Sequence, residues 1–126
     1  MTKLIMLIAG LSGGLSVMLG AFAAHGLKKK ISADMLLVFK TGVDYQFYHS
    51  LALALVGLSL IAEGIEQSMY LTWAFVFFAV GIILFSGSLY LLALTQKKIF
   101  GPITPLGGLF FILGWGAFTL HWVNYG

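Results

Sequence analysis

The chain has no cysteine, no arginine and only two prolines, and charge on just 9% of its 126 residues. Without cysteine there are no disulfides, no thiolate zinc or iron–sulfur centres and no thiol catalysis. Seven lysines and four acids cannot cover a water-soluble globule, in which about a quarter of residues are charged, so a soluble enzyme is excluded. The basic balance does not make a nucleic-acid protein either, because that needs Lys/Arg clustered on a soluble scaffold. Paired intramembrane carboxylates, a phosphate-binding loop, H-E-x-x-H and G-x-S-x-G are all missing. We therefore assign no catalytic residue and no metal site, and an enzyme is not expected. The chain has no convincing internal repeat, and four spans are few for an alternating-access transporter unless it oligomerises.

Apolar sequence dominates what is present. Hydrophobic residues make up 60% of the chain and mean hydropathy is +1.03, values that belong to a membrane protein. Leu4 to Leu27 is free of formal charge and as a helix is about 36 Å long, enough to cross a bilayer core with some tilt. Lys3 and Ala21-Phe22-Ala23 imitate a signal peptide, but the apolar run exceeds the usual length of such a segment, so we read a retained span. Further spans are expected at about 43–62, 68–95 and 105–123. Thr104 is expected to cap the last helix, with Pro105 at its first position.

The predicted fold is therefore all-α, a single transmembrane domain (1–126) forming an antiparallel four-helix bundle. Between the first two spans, Ile31 to Gly42 carries Ile31, Met35, Leu36, Val38 and Phe39 on one helical arc, opposite Asp34, Lys40 and Thr41. With Ser32 as N-cap this reads as a short amphipathic helix in the membrane interface, bending near Gly42 into the second span. A straight extension of that span is the alternative. Lys3 stands alone on the face shared by both termini and the Glu63–Gln67 loop, whereas Lys28, Lys29, Lys30, Lys40, Lys97 and Lys98 share the other. The positive-inside rule then places both termini outside.

Two sets of residues invite a role. Ser12, Ser16, Gly20 and Ala24 recur every fourth position on the first span, and Gly107 and Gly114 give the last span a similar narrow face, a pattern that lets helix backbones approach. The polar set is His25, Asp44, Tyr45, Gln46, His49, Ser86, Ser88 and Tyr90. Polar groups inside a membrane are costly and usually face a bundle interior or cavity. The antiparallel topology permits these residues to converge near the inner leaflet, with His25 close to His49. Three readings compete for them: a hydrogen-bonded plug that fixes helix register, a pocket for a lipid or other ligand or a proton, and a pair of axial histidines for haem. His121, beside Trp122 and Tyr125, reads as part of an interfacial aromatic belt.

Several strings taken together resemble one family: Leu19-Gly20-Ala21-Phe22-Ala23-Ala24-His25-Gly26-Leu27, Tyr45-Gln46-Phe47-Tyr48-His49, Phe85-Ser86-Gly87-Ser88-Leu89-Tyr90, Gly101-Pro102-Ile103-Thr104-Pro105-Leu106-Gly107-Gly108 and Gly114-Trp115. The chain is similar to small bacterial inner-membrane proteins of a domain-of-unknown-function family related to eukaryotic transmembrane protein 256. Ala23 stands where the family pattern carries glycine. The resemblance implies a multi-pass protein of the bacterial inner membrane and supplies no activity or cofactor. The expected role is structural or accessory, binding membrane lipid or a partner, whether a second copy or another membrane protein. A small-solute or proton conduit and a haem-binding redox protein are the alternatives.

Overall fold

The computed structural model describes residues 1–66 and 68–125, so that Gln67 of the Glu63–Gln67 loop lies outside the described residues. The helices are α1 (Thr2–Ala24), α2 (Ala33–Glu63), α3 (Met69–Gly81), α4 (Gly87–Thr95) and α5 (Ile103–Val123); a π turn, Ile82–Ser86, joins α3 to α4. Four stretches are long and apolar enough to cross a membrane: Thr2–Lys29, Ala33–Glu63, Met69–Thr95 and Lys98–Val123. The all-α four-helix architecture is as expected, and no strand occurs among the described residues.

Ser32 starts α2 as a cap, in extended conformation, its hydroxyl accepting the Met35 N–H at 3.2 Å. This satisfies one of the donors that a helix N-terminus leaves free. Gly64 stops the helix at φ 64°, where the Ile65 N–H reaches back to the Leu60 carbonyl at 3.1 Å. That left-handed conformation favours glycine.

The separate interfacial helix is not found. Residues 33–42 are helical, but they form the first turns of one continuous 31-residue α2. Their apolar arc covers protein instead of head groups: Phe39 is buried with Ala23, Leu27 and Ala93. Gly42 does not interrupt the helix either. It lies under the Tyr90 ring, where a Cβ would come within 2.8 Å of Cε1.

The start of α5 also differs from expectation. Pro102 precedes the first helical residue, Ile103, and Thr104 lies within the first turn, its hydroxyl 2.6 Å from that of Ser88. Pro105 costs no hydrogen bond there, because first-turn N–H groups have no intrahelical partner.

Consecutive spans run antiparallel. Gly13 faces Ser50 and Gly20 faces Val43 across α1 and α2, while Gly81 meets Phe111, Gly114 meets Phe78 and Gly107 meets Phe85 across α5 and the third span. α1 packs principally on α2 and contributes Ile5 and Ala9 to the main core, which Leu53, Val56 and Leu60 of α2, Leu71 and Phe78 of α3 and Phe111 of α5 complete. The π turn brings the Phe85 backbone so close to Gly107 that a Cβ there would lie 2.3 Å from the Phe85 nitrogen.

Candidate functional site

The polar set does not form one pocket. It divides along α2 into a seam toward α1 and α4, an aromatic face toward α5, and two outlying residues. Because α2 begins at Ala33, Gln46 and His49 lie about 20 and 24 Å along it at 1.5 Å per residue. They are level with the middle of α1, not with its end.

The seam centres on Gln46, which is 3% exposed. Its Nε2 donates to the Ser12 carbonyl at 2.9 Å and its Oε1 accepts from the Tyr90 hydroxyl at 2.6 Å. One side chain thus ties α1 to α4 through α2. One turn along, the Ser50 hydroxyl donates to the Gln46 carbonyl at 2.6 Å and lies 2.7 Å from the Ser12 hydroxyl. Ser86 donates to the Gly42 carbonyl at 2.6 Å, and Ser88 joins Thr104 of α5. Ser16 is buried and donates to its own helix at Gly13. No buried side-chain nitrogen or oxygen among the described residues lacks a partner, as a low-dielectric interior demands.

His49 belongs to the other face. Its Nδ1 lies 2.8 Å from the Tyr45 carbonyl, and its Nε2 accepts from the Trp115 indole N–H at 3.2 Å. These two bonds assign the neutral ring with its proton on Nδ1. The imidazole stacks on Phe111 with centroids 3.5 Å apart and planes 7° apart. Tyr45 lies over Phe85 at 4.6 Å.

The expected meeting of His25 with His49 does not occur. The register of α1 on α2 puts His25 level with Val38, about 17 Å along α2 from His49. His25 is exposed at the end of α1 beside Ala24, Lys28 and Lys29. This pair cannot clasp one haem in this arrangement. Of the small-residue positions, Ser12, Ser16 and Gly20 lie along the α2 interface, whereas Ala24 is exposed. Asp44 is also exposed, on the outer side of the α1/α2 crevice with Ser16, Gly20 and Tyr48.

Two grooves flank α2. One, of about 490 Å³, lies between α1 and the third span: Ile8, Leu11, Leu15, Ile82, Ile83 and Gly87 line it, with Ser12, Gln46 and Tyr90 supplying its polar groups. The other, of about 530 Å³, lies toward α5 and is lined by Tyr45, His49, Phe85, Pro105, Gly108 and Trp115, among others.

A further cluster escaped the sequence reading. At the opposite end of the bundle, His121 is buried, with Nε2 2.6 Å from Glu63 Oε1 and Nδ1 3.0 Å from Ser68 Oγ. It joins the end of α2, the start of α3 and the end of α5. No local spacing reveals residues so far apart in the chain; only their shared end of the bundle offered a signal. His121 is thus a buried hydrogen-bonded residue, whereas its neighbours Trp122 and Tyr125 are exposed.

Comparison with known proteins follows the same lines. The family described as "Protein of unknown function (DUF423)" matches residues 19–108. The UPF0382 membrane protein YwdK of Bacillus subtilis (strain 168) is 42% identical over 123 residues, 98% of each chain. The UPF0382 inner membrane protein YgdD of Escherichia coli (strain K12) is 44% identical over 116 residues, covering 91% of this chain and 86% of that one. The UPF0382 membrane protein SAB0533 of Staphylococcus aureus (strain bovine RF122 / ET3-1) is 46% identical over 113 residues, 90% of this chain and 89% of its own. No solved structure matches.

Proposed function

Because the chain belongs to the DUF423 family of membrane proteins, whose description carries no activity, we propose an accessory role in which it binds a membrane lipid without transforming it. The groove between α1 and the third span carries this reading. Its walls are aliphatic, its polar groups are Ser12, Gln46 and Tyr90, and its volume of about 490 Å³ is in the range of small-ligand sites. An acyl chain matches such walls, and Ser12, Gln46 and Tyr90, bonded to one another, leave the groove surface almost wholly apolar. A conduit has less support, since it needs polar groups in continuous relay, and here they close on one another and on nearby backbone.

Gly87 provides the test. A Cβ at this position would meet nothing within 4 Å, so Gly87→Leu narrows the groove without striking backbone. Native mass spectrometry of the detergent-extracted protein is expected to show one retained phospholipid per chain, lost several-fold in Gly87→Leu at unchanged thermal stability. Equal retention in both proteins would sink the reading.

We also propose that both termini lie outside the cytoplasm of a bacterial inner membrane. The six lysines at the Lys28–Lys40 and Lys97–Lys98 end, against Lys3 at the other, support this. The chain has no native cysteine, so Glu66→Cys reports cleanly. An impermeant maleimide is expected to label it in intact spheroplasts; labelling only after the membrane is opened from the cytoplasmic side would reverse the orientation.

A further inference from the structure

The groove on the α5 side of α2 differs in chemistry from the one assigned to lipid. Its wall is aromatic: Tyr45, His49 and Phe111 lie with their planes within 28° of one another, and the Trp115 ring stands edge-on to His49. Pro105 and Gly108 add little bulk along the α5 side, and a Cβ on Gly108 would have only the edge of the Phe85 ring near it, at 3.8 Å. His49 and Phe111 are buried against each other, which leaves Tyr45 and Trp115 as the exposed rings of the groove. Exposed rings suit a flat guest, since offset stacking of ring on ring adds to the area buried.

A second, independent feature points the same way. Every buried polar side chain among the described residues has a partner, whereas the half-exposed Tyr45 hydroxyl makes no hydrogen bond within them, only its backbone carbonyl being engaged, by His49. That hydroxyl is free to donate, and a carbonyl on the guest would accept its proton. His49 does not compete for that carbonyl, because its Nε2 already takes the Trp115 N–H and its Nδ1 faces the Tyr45 carbonyl.

We infer that this groove binds a lipid-soluble, flat conjugated ring bearing a carbonyl, the chemistry of a quinone, stacked against Tyr45 and Trp115 and accepting a hydrogen bond from the Tyr45 hydroxyl. The inference concerns binding alone and is independent of the lipid groove.

Trp115 serves as its own reporter once Trp73 and Trp122 are replaced by phenylalanine. The full chain carrying these two changes, in nanodiscs of zwitterionic lipid, is titrated with a decyl-substituted naphthoquinone. Saturable quenching at one quinone per chain is expected. In Gly108→Leu the saturable component should disappear, and in Tyr45→Phe, which keeps the ring and removes the hydroxyl, the affinity should fall by about tenfold. Quenching that rises linearly with quinone in the bilayer, or saturable quenching that neither substitution alters, would overturn the site. Because Tyr45→Phe leaves the packing intact, a folding failure of Gly108→Leu does not remove the test.

Discussion

The two long helix seams of this bundle are built on opposite principles. Between α5 and the third span, Gly81, Gly107 and Gly114 each receive a phenylalanine so closely that a Cβ would fall within 2.3–2.6 Å of it. Between α1 and α2 the seam is close at one end, where a Cβ on Gly57 would lie 2.6 Å from Met6 Sδ, and open along the rest of α1: a Cβ on Gly13 or Gly20 would lie 3.7 or 3.4 Å from its nearest neighbour, and one on Gly10 or Gly14 would have none within 4 Å. What holds α1 there is polar, the Gln46 and Ser50 bonds to Ser12. In lipid, where apolar burial supplies no drive between helices, close packing and interhelical hydrogen bonds are the two remaining devices. This chain weights them differently: glycine–phenylalanine packing dominates the α5 seam, with hydrogen bonds from Ser88 to Thr104 and Ser68 to His121 near its ends, and hydrogen bonds to Ser12 mark the middle of the α1 seam. At its glycine–phenylalanine contacts the packed seam has no space to yield, whereas α1 has open positions at Gly10 and Gly14.

The largest expected effect comes from attacking the packed seam. In Gly107→Ala the new Cβ lands on the Phe85 backbone, 2.3 Å from its nitrogen and 2.7 Å from its Cα, so no side-chain rotation relieves it. A loss of about 3 kcal/mol or more is expected, read as a collapse of monodisperse yield and thermal stability. A variant as stable as the parent would mean that the seam is looser than described.

At the polar seam, Gln46→Leu keeps the volume and removes both bonds. It removes the Gln46 partner of the half-buried Tyr90 hydroxyl, and about 1–3 kcal/mol of destabilisation is expected, measured by denaturant unfolding in mixed micelles. The double variant Gln46→Leu/Tyr90→Phe removes that hydroxyl as well and should recover part of that loss. If the two single effects simply add, the Tyr90–Gln46 bond at 2.6 Å carries no coupling, and α1 is held by something other than this relay.

How far the sequence reveals this arrangement depends on the range of the interaction. Spans are legible because a charge-free apolar run has one outcome in a bilayer, and the Ser32 cap and Gly64 stop are legible because they act within one turn. The depth of His49 is not. It hinges on where α2 begins, and Phe39, by packing on Ala23 and Leu27, recruits the residues before Gly42 into the same helix. Gly42 itself reads equally well as a bend or a close approach, and only the Tyr90 ring decides. The π turn has no local signature between Gly81 and Gly87; it serves the contact of Phe85 with Gly107. The Glu63–His121–Ser68 cluster likewise exists only once three helix ends are brought together.

The smallest expected effect sharpens the contrast most, because it uses one substitution in two settings. Gly114→Ala sets a methyl 2.6 Å from the Phe78 ring, whereas Gly14→Ala sets one where nothing lies within 4 Å. Both glycines sit inside helices, so the gain in intrinsic helix preference is common to the pair, and the difference between the two stabilities isolates packing. Gly14→Ala should leave stability within about 0.5 kcal/mol of the parent, with any shift upward, while Gly114→Ala should lose about 1–3 kcal/mol as the Phe78 ring is displaced. Equilibrium unfolding of both variants in the same micelles measures that difference directly. A loss of more than about 1 kcal/mol in Gly14→Ala would exceed the surface range and break the comparison at its open side, since a methyl that meets only lipid has nothing to displace.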